Sequence, residues 1–300
     1  RGGRGVQGAS SREEDFVEHL FVANTHSYIL FFTDKGKCYW VKVYDIPEGG
    51  RAAKGRAIVN LVGCEPDEKV SAFISVKEFN DDHFVVMATE KGIVKKTKLS
   101  AYSNPRKKGI YAVEIRDGDK LIEARVSTGD NDILLGTRNG KSIRFSEEQI
   151  RPSGRKTMGV KGITLSSEDD RLVGMLLIKR EGTTVLVATE KGFGKRTEIS
   201  QYRAQKRGGK GVLTMKTTDK VGKMVTIKEV VDKDDLMIIT NQGVLIRQPV
   251  SQIRAIGRAT QGVKLIKLGE GTLVSSITRI MSEEDSGDEN NSTEPKGNTE

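Results

Sequence analysis

A short apolar run followed by Thr-x-x-Gly occurs five times in this chain of 300 residues, and this repetition limits the possible folds more than any other feature. Such a run leading into Lys-Gly, Asn-Gly or Gln-Gly is typical of a strand entering a hairpin turn, because glycine adopts a positive φ without steric cost. The five glycines, called hairpin glycines here, are Gly36, Gly92, Gly140, Gly192 and Gly243. Their regular spacing predicts a repeated β unit.

A second glycine follows each hairpin glycine at a nearly constant distance, and one further copy lies near the start of the chain. These loop glycines are Gly5, Gly55, Gly109, Gly159, Gly211 and Gly262. A β-rich stretch, a polar turn and another apolar run come after them, so each repeat has room for about four short strands. A period of about 50 residues favours a propeller-like blade over a β-solenoid, whose repeats are usually shorter. Six loop glycines and five hairpins predict an all-β protein of six blades, the first incomplete, with its hairpin upstream of residue 1.

The charge distribution predicts a polyanionic partner. The chain has a net charge of +9, but the segment 282–300 holds seven acidic residues and one lysine. That tail therefore carries −6 and leaves +15 on residues 1–281. We expect residues 1–281 to form the folded domain and 282–300 to be a disordered acidic tail. The tail is either a solvated end or a competitor with the partner for the basic surface.

The sequence offers little for catalysis, metal binding or membrane insertion. Cys38 and Cys64 form no CxxC pair and only three histidines are present, so we expect no metal, no cofactor and no disulfide framework. No apolar run is long enough for a membrane span, and a cytoplasmic protein fits best. The segment Gly136–Ser142 has the wrong spacing for a phosphate-binding loop and is interpreted as an Asn-Gly turn. We expect this chain alone not to be an enzyme.

Basic residues cluster around the loop glycines, and their repetition predicts a belt of positive charge. The cations at these positions are Arg1, Arg4, Arg51, Lys54, Arg56, Arg106, Lys107, Lys108, Arg155, Lys156, Lys161, Lys206, Arg207, Lys210, Arg254, Arg258 and Lys264. Aromatic residues make up only 5% of the chain, which favours contact with duplex phosphates over stacking on single-stranded bases. The alternative is that these cations are ordinary solvated loop residues.

One heptad identifies a family. Gln205, Lys206, Arg207, Gly208, Gly209, Lys210 and Gly211 resemble the gyrase A box, the signature of the DNA gyrase A C-terminal domain family. The glycine pair is expected to let the backbone approach a phosphate and aim N–H groups at it. Arg1, Gly2, Gly3, Arg4 and Gly5 resemble the last five positions of a second copy, and residues 21–26, 55–61, 92–96, 159–163 and 257–263 are also similar to the family.

The resemblance implies a six-bladed β-pinwheel that wraps double-stranded DNA around its rim. It also implies a parent type IIA topoisomerase, built from gyrase A and gyrase B subunits as A2B2, that introduces negative supercoils with ATP on the chromosome. One departure is that the complete box lies in the fifth predicted blade, whereas the family usually carries it in the first.

Three other functions remain open from the sequence. The C-terminal domain from the A-type subunit of topoisomerase IV is the nearest, but that domain usually lacks an intact box. A protein-docking propeller would place apolar or aromatic residues where this chain has cations. A propeller enzyme would need polar residues converging on the inner strands, where the sequence has mainly valine, isoleucine, leucine and alanine.

Overall fold

A computed structural model describes residues 24–48, 58–178 and 182–280, which form strands joined by short turns and loops. The strands are β1 (Tyr28–Thr33), β2 (Lys37–Lys42), β3 (Val70–Val76), β4 (Phe84–Thr89), β5 (Ile93–Lys98), β6 (Ile110–Tyr111), β7 (Leu121–Ser127), β8 (Asp132–Thr137), β9 (Lys141–Ser146), β10 (Val160–Lys161), β11 (Leu172–Ile178), β12 (Thr184–Thr189), β13 (Phe193–Glu198), β14 (Val212–Leu213), β15 (Met224–Val230), β16 (Asp235–Thr240), β17 (Leu245–Pro249), β18 (Val263–Lys264) and β19 (Val274–Ile280).

One short helix and five 3-10 turns complete the described chain. The helix α1 spans Ile58–Val62, and the 3-10 turns are Val43–Asp45, Leu99–Tyr102, Glu147–Gln149, Ile199–Gln201 and Val250–Gln252. Each 3-10 turn follows the second strand of a hairpin and redirects the chain into the segment that carries the next loop glycine.

The described strands form five antiparallel sheets, in the orders β3-β1-β2-β6, β10-β5-β4-β7, β11-β8-β9-β14, β15-β12-β13-β18 and β17-β16-β19. The all-β, propeller-like class expected from the repeats is confirmed. The number of blades is corrected from six to five, because within the described ranges only the five complete hairpins build sheets. The first predicted repeat and the acidic tail at 282–300 lie outside the described residues.

Each sheet with a short fourth strand is shared between two repeats, which the sequence did not indicate. The hairpin and the long third strand come from one repeat, but the short strand comes from the next. Thus β6, from the repeat of β4 and β5, pairs with β2, and β10 pairs with β5 in the same way. Because the short strands are only two residues long, they have no alternating pattern from which their partner could be assigned.

The hairpin turns are formed as the glycine pattern predicts. Gly36 and Gly140 have φ values of 77° and 81°, and each donates its N–H to the carbonyl of the threonine three residues earlier. The turn at Gly140 joins β8 to β9, so the segment first compared with a phosphate-binding loop is an Asn-Gly hairpin turn, as interpreted.

The core lies between neighbouring sheets. One cluster joins Val86 and Val94 of the second sheet to Ile133 and Ile143 of the third. The long strands β3, β7, β11, β15 and β19 contact one another in chain order, which places them on the inner side of the sheets and the short strands on the outer side. Cys38 is buried, and both Cys38 and Cys64 are free thiols. No helix among the described residues is long and apolar enough to cross a membrane.

Candidate nucleic-acid interface

The segments that carry the loop glycines run along the second hairpin strand of the preceding sheet, which is β2, β5, β9 or β13 and is called its outer strand here. Ser153 N–H donates to the carbonyl of Lys96 at 2.8 Å, and Gln205 N–H donates to the carbonyl of Arg144 at 2.8 Å. The short strand that follows then pairs with the same outer strand. We call residues 103–111, 151–161, 203–213 and 254–264 the outer loops. The fold brings them to equivalent places on four successive sheets.

The outer loops are uniformly basic. Together they hold fourteen arginine and lysine residues and no aspartate or glutamate. Among the described residues, no ion pair includes any of these cations, whereas ion pairs elsewhere join Lys120 to Glu90 and Arg138 to Glu190. The exposed members among the predicted site residues are Arg106, Lys107, Lys108, Lys156, Lys161, Lys206, Lys210, Arg254 and Lys264. Their positive charge is therefore directed at solvent without neutralisation by the protein.

Three of the predicted contact residues are turned inward instead. Arg155, Arg207 and Arg258 are half-buried, and each lies four residues before a loop glycine. Each guanidinium donates to the carbonyl of a short strand that follows the preceding loop glycine. The acceptors are Tyr111 for Arg155 at 3.0 Å, Lys161 for Arg207 and Leu213 for Arg258. These arginines join successive outer loops to one another.

The backbone of the box is also committed to the protein. Arg207 N–H donates to Gln149 Oε1 at 2.8 Å, and Gly208 N–H donates to the carbonyl of Gly162 at 2.8 Å. The expectation that the glycine pair aims its amides at a phosphate is wrong for Gly208. Its φ of 83° instead lets the chain turn.

Gly211 ends the box with a close approach to the neighbouring sheet. Its φ is 69°, and a Cβ atom there would lie 2.3 Å from the carbonyl oxygen of Ser142. Val212 then pairs with Ser142, so β14 joins the third described sheet. The hairpin of the same repeat, β12 and β13, belongs to the fourth described sheet. The box, assigned from the sequence to the fifth blade, therefore lies against the outer strand of the third described sheet.

Two buried lysines that the sequence analysis missed, Lys95 and Lys195, hold the outer loops in place. Lys95 Nζ donates to the carbonyls of Ala112 and Arg155, both at 2.6 Å. Burial, with a smaller contribution from the charge of Arg155, lowers the pKa of Lys95 to about 7. Both lysines lie three residues after a hairpin glycine, and this shared position is the one feature of the sequence that could have indicated their role.

Lys195 repeats this arrangement two sheets further on. Its Nζ donates to the carbonyl of Gly257 at 2.8 Å, to that of Arg258, and to Thr260 Oγ1 at 3.0 Å. Burial and the neighbouring Arg258 lower the pKa of Lys195 to about 8. A lysine amine bound to several carbonyls of one loop fixes the path of that loop.

The remaining predicted site residues lie outside the described ranges. They are Arg1, Gly2, Gly3, Arg4, Gly5, Arg51, Lys54 and Arg56. Within the described residues, no group of three or more histidine, cysteine, aspartate or glutamate side chains could hold a metal ion.

Comparisons with known proteins point to one family. The family model described as "DNA gyrase C-terminal domain, beta-propeller" matches residues 1–24, 27–77, 83–128, 131–179, 183–230 and 234–280. The DNA gyrase A protein of Staphylococcus epidermidis is 46% identical over 95% of this chain and 32% of its own length. The DNA gyrase A protein of Staphylococcus aureus is 45% identical over 100% of the chain and 34% of its own length. The chain thus spans about a third of the length of these relatives.

Two solved structures share the fold. The C-terminal domain of DNA topoisomerase IV superposes with a TM-score of 0.78 at 25% identity, over 86% of this chain and 80% of that one. A DNA gyrase A C-terminal domain superposes with a TM-score of 0.76 at 22% identity, over 92% of both chains. With six matched segments along its sequence, this chain belongs to the DNA gyrase C-terminal domain family of β-propeller-like domains.

Proposed function

We propose that this chain binds double-stranded DNA along its outer loops and wraps it without sequence specificity. The observation that carries the proposal is the set of fourteen cations, with no acidic residue in the same loops, at equivalent positions on four successive sheets. Lysine and arginine that neutralise phosphates release condensed counterions, which drives binding to any duplex sequence. Because the loops follow one another along the outer side of the sheets, one duplex can contact them in turn.

The chemistry of the outer loops favours a duplex over a single strand. Tyr111 is the only aromatic residue in the four described outer loops, and Lys156 Nζ lies 5.8 Å from the centre of its ring. Proteins that bind single strands stack successive bases on aromatic side chains. Eleven exposed cations with one aromatic residue in these loops fit the phosphate backbone of a duplex better.

The similarity to DNA gyrase A proteins extends the proposal to the parent enzyme. As part of a gyrase A protein, the domain would act in an A2B2 enzyme in the cytoplasm, together with gyrase B and the remainder of its own polypeptide. The DNA segment that it wraps would be presented for ATP-dependent strand passage, which introduces negative supercoils. Residues 1–281 would form the wrapping domain and 282–300 its acidic tail. The reaction chemistry would reside elsewhere in the parent enzyme.

A charge-matched pair of variants tests DNA binding by the outer loops. The site variant changes Lys107, Lys156, Lys206 and Lys210 to glutamine, and the control changes Lys35, Lys91, Lys120 and Lys191, which are exposed near the hairpin turns. Both lose four charges. Affinity for a labelled duplex is measured across a salt series. The site variant should bind more weakly, and its log–log salt slope should fall by about 0.9 for each phosphate that it no longer neutralises. Equal weakening of both variants would contradict the proposal.

The second candidate is the C-terminal domain of topoisomerase IV, favoured by the TM-score of 0.78. The complete box at residues 205–211 favours gyrase instead. Grafting this chain onto a gyrase A protein in place of its C-terminal domain distinguishes the two. Gyrase function predicts that negative supercoiling is retained, whereas topoisomerase IV function predicts relaxation and decatenation without it.

A further inference from the structure

Lys228, on the inner strand β15, has a half-buried side chain and an amine without a partner. Among the residues that the structure describes, its Nζ atom makes no hydrogen bond and no ion pair. Lys95 and Lys195 differ, because each donates to several atoms of an outer loop. Burial lowers the pKa of Lys228. A buried cation without an acceptor is costly, so this amine either releases its proton or needs an anion.

Two arginines and one carboxylate lie around that amine. After burial, the largest effect on the pKa of Lys228 is the opposing one of the Glu123 charge, which raises it. The charges of Arg125 on β7 and Arg279 on β19 lower the pKa further. Arg279 Nη1 donates to the carbonyl of Glu229, the residue next to Lys228, at 3.1 Å. We call Arg125, Lys228 and Arg279 the inner cations.

Arg125 also has a donor without an acceptor. Its Nη2 lies 3.3 Å from Oε2 of Glu123, but its buried Nε has no hydrogen-bond partner among the described residues. Buried polar groups in proteins are nearly always hydrogen-bonded, so this Nε requires an acceptor that the described residues do not supply. The single charge of Glu123 is divided between Arg125 and Lys228 and cannot neutralise both.

Arg125 and Lys228 occupy equivalent positions on the inner strands of the second and fourth described sheets. Each lies opposite the residue that comes six positions before a hairpin glycine. In the first and third described sheets the same position is taken by Ile74 and Leu176. The fold therefore accepts an apolar side chain there, and packing alone does not require a cation. This favours a role in binding for the two cations.

We propose that the inner cations bind a small divalent oxyanion of the class of inorganic phosphate on the inner side of the sheets. Lysine and arginine bind such ions through charge-assisted hydrogen bonds. The anion accepts from Nζ of Lys228 and from the guanidinium of Arg125, and it offsets the repulsion between the cations. The half-buried Lys228 and the Arg125 side chain, which is 37% exposed, leave the groups accessible to a small ion.

The proposed anion site is separate from the outer loops. The long strands that carry the inner cations are at the opposite edge of each sheet from the short strands. A duplex that contacts the outer loops therefore does not contact Lys228, and the anion binds whether or not DNA is wrapped. The inference goes beyond the proposed function and does not depend on it.

Binding of inorganic phosphate to the intact chain tests the site. Equilibrium dialysis at neutral pH and constant ionic strength, with chloride as the other anion, measures the affinity. Lys228→Met should weaken phosphate binding about tenfold to a hundredfold, since it removes a charge-assisted hydrogen bond. Lys223→Met is the control, because Lys223 precedes β15 and donates to Asn139 Oδ1 at 2.6 Å. Equal phosphate affinity of the unaltered chain and Lys228→Met would overturn the proposal.

A variant of the outer loops separates this site from the cations that face DNA. Changing Lys107, Lys156, Lys206 and Lys210 to glutamine removes exposed charges that also attract phosphate. That variant should keep the phosphate site that depends on Lys228. Loss of phosphate binding in this variant, with binding intact in Lys228→Met, would contradict the proposal. No DNA is present in these measurements, so their outcome is distinct from the test of the proposed function.

Two further results cannot be imitated by a variant that simply unfolds. Glu123→Gln removes the carboxylate that competes with the anion for Arg125 and Lys228, so phosphate should bind about tenfold more tightly. Lys228→Met should melt no lower than the unaltered chain in chloride, because it removes an amine without an acceptor. Phosphate should raise the melting temperature of the unaltered chain more than that of Lys228→Met. Weaker phosphate binding by Glu123→Gln, or equal rises in melting temperature, would overturn the proposal.

Discussion

The Nζ atom of Lys95 lies 2.6 Å from the backbone carbonyl oxygen of Arg155, a residue of the outer loop in the following repeat. Arg155 in turn donates to the carbonyl of Tyr111 in the outer loop before it. A buried amine and a half-buried guanidinium thus connect two outer loops through their backbones. The positions of the exposed cations on these loops depend on contacts that involve no DNA.

Replacing Lys95 with methionine should change how stability depends on pH. The folded pKa is about 7, well below the value of 10.5 for an unperturbed lysine. Between these values the unfolded chain binds a proton that the folded chain does not, so the contribution of Lys95 to the free energy of unfolding rises with pH across this window. Methionine does not titrate, so the variant lacks this increase in the free energy of unfolding with pH. Relative to the unaltered chain, it should therefore be more destabilised above the window than below it.

Urea denaturation at either end of that window measures the effect. Lys91→Met, an exposed lysine on the preceding hairpin turn, is the control and should show little dependence on pH. A destabilisation by Lys95→Met that is the same at both pH values would show that Lys95 does not titrate in this range.

Arg258 and Arg254 should separate stability from DNA affinity within one loop. Arg258→Met removes the donor to the carbonyl of Leu213 and should cost about 1–2 kcal/mol of stability. Arg254→Met removes an exposed cation and should leave stability nearly unchanged while weakening DNA binding. Thermal denaturation and duplex titration of both variants check this. Equal losses of stability would contradict the inward role of Arg258.

Gly211→Ala should be strongly destabilising. The positive φ alone costs about 1–3 kcal/mol for a residue with a side chain. The added Cβ also meets the carbonyl oxygen of Ser142 at 2.3 Å, so β14 must shift away from β9. Gly154→Ala is the matched control, because nothing lies within 4 Å of its Cβ position. Comparable midpoints of unfolding for the two variants would contradict the packing described for the box.

Glu147 should be the costliest carboxylate to remove among those in described ion pairs. It is fully buried, and its Oε1 lies 3.5 Å from Lys96 Nζ of the neighbouring sheet and accepts a hydrogen bond from Ser127 Oγ. Glu147→Ala leaves a buried cation unpaired, for which about 3–5 kcal/mol is typical. The double variant Lys96→Met with Glu147→Leu should recover much of that loss in urea denaturation. A double variant as unstable as Glu147→Ala would contradict the pairing.

Much of the fold could be predicted from the sequence because its signals are local. An apolar run before Thr-x-x-Gly specifies a strand and the turn that follows it, as at Gly36 and Gly140. The sharing of strands between repeats could not be predicted in this way. Val160 and Lys161 pair with residues of the preceding repeat, and a strand of two residues carries no information about its partner.

The candidate site was predictable only in part, and for a similar reason. Lys107 and Lys156 are exposed, as expected of lysines in a loop. Arg207 has the same sequence context but turns inward, because a carbonyl of the preceding outer loop lies within reach. Lys95 belongs to the run Ile93–Lys98, whose polar residues suggest a solvent-facing edge. Its burial results from the packing of the following repeat over that edge, which is a tertiary contact without a local signal.

Wrapping of DNA is the central claim, and the topology of a closed plasmid tests it most directly. A nicked circular plasmid is religated with and without this chain across a salt series, and its topoisomers are separated on a gel. We predict a shift in linking number that diminishes as salt rises, because wrapping through phosphates constrains the path of the duplex and weakens with salt. Binding without any shift in linking number would contradict wrapping and leave a domain that docks on DNA without changing its path.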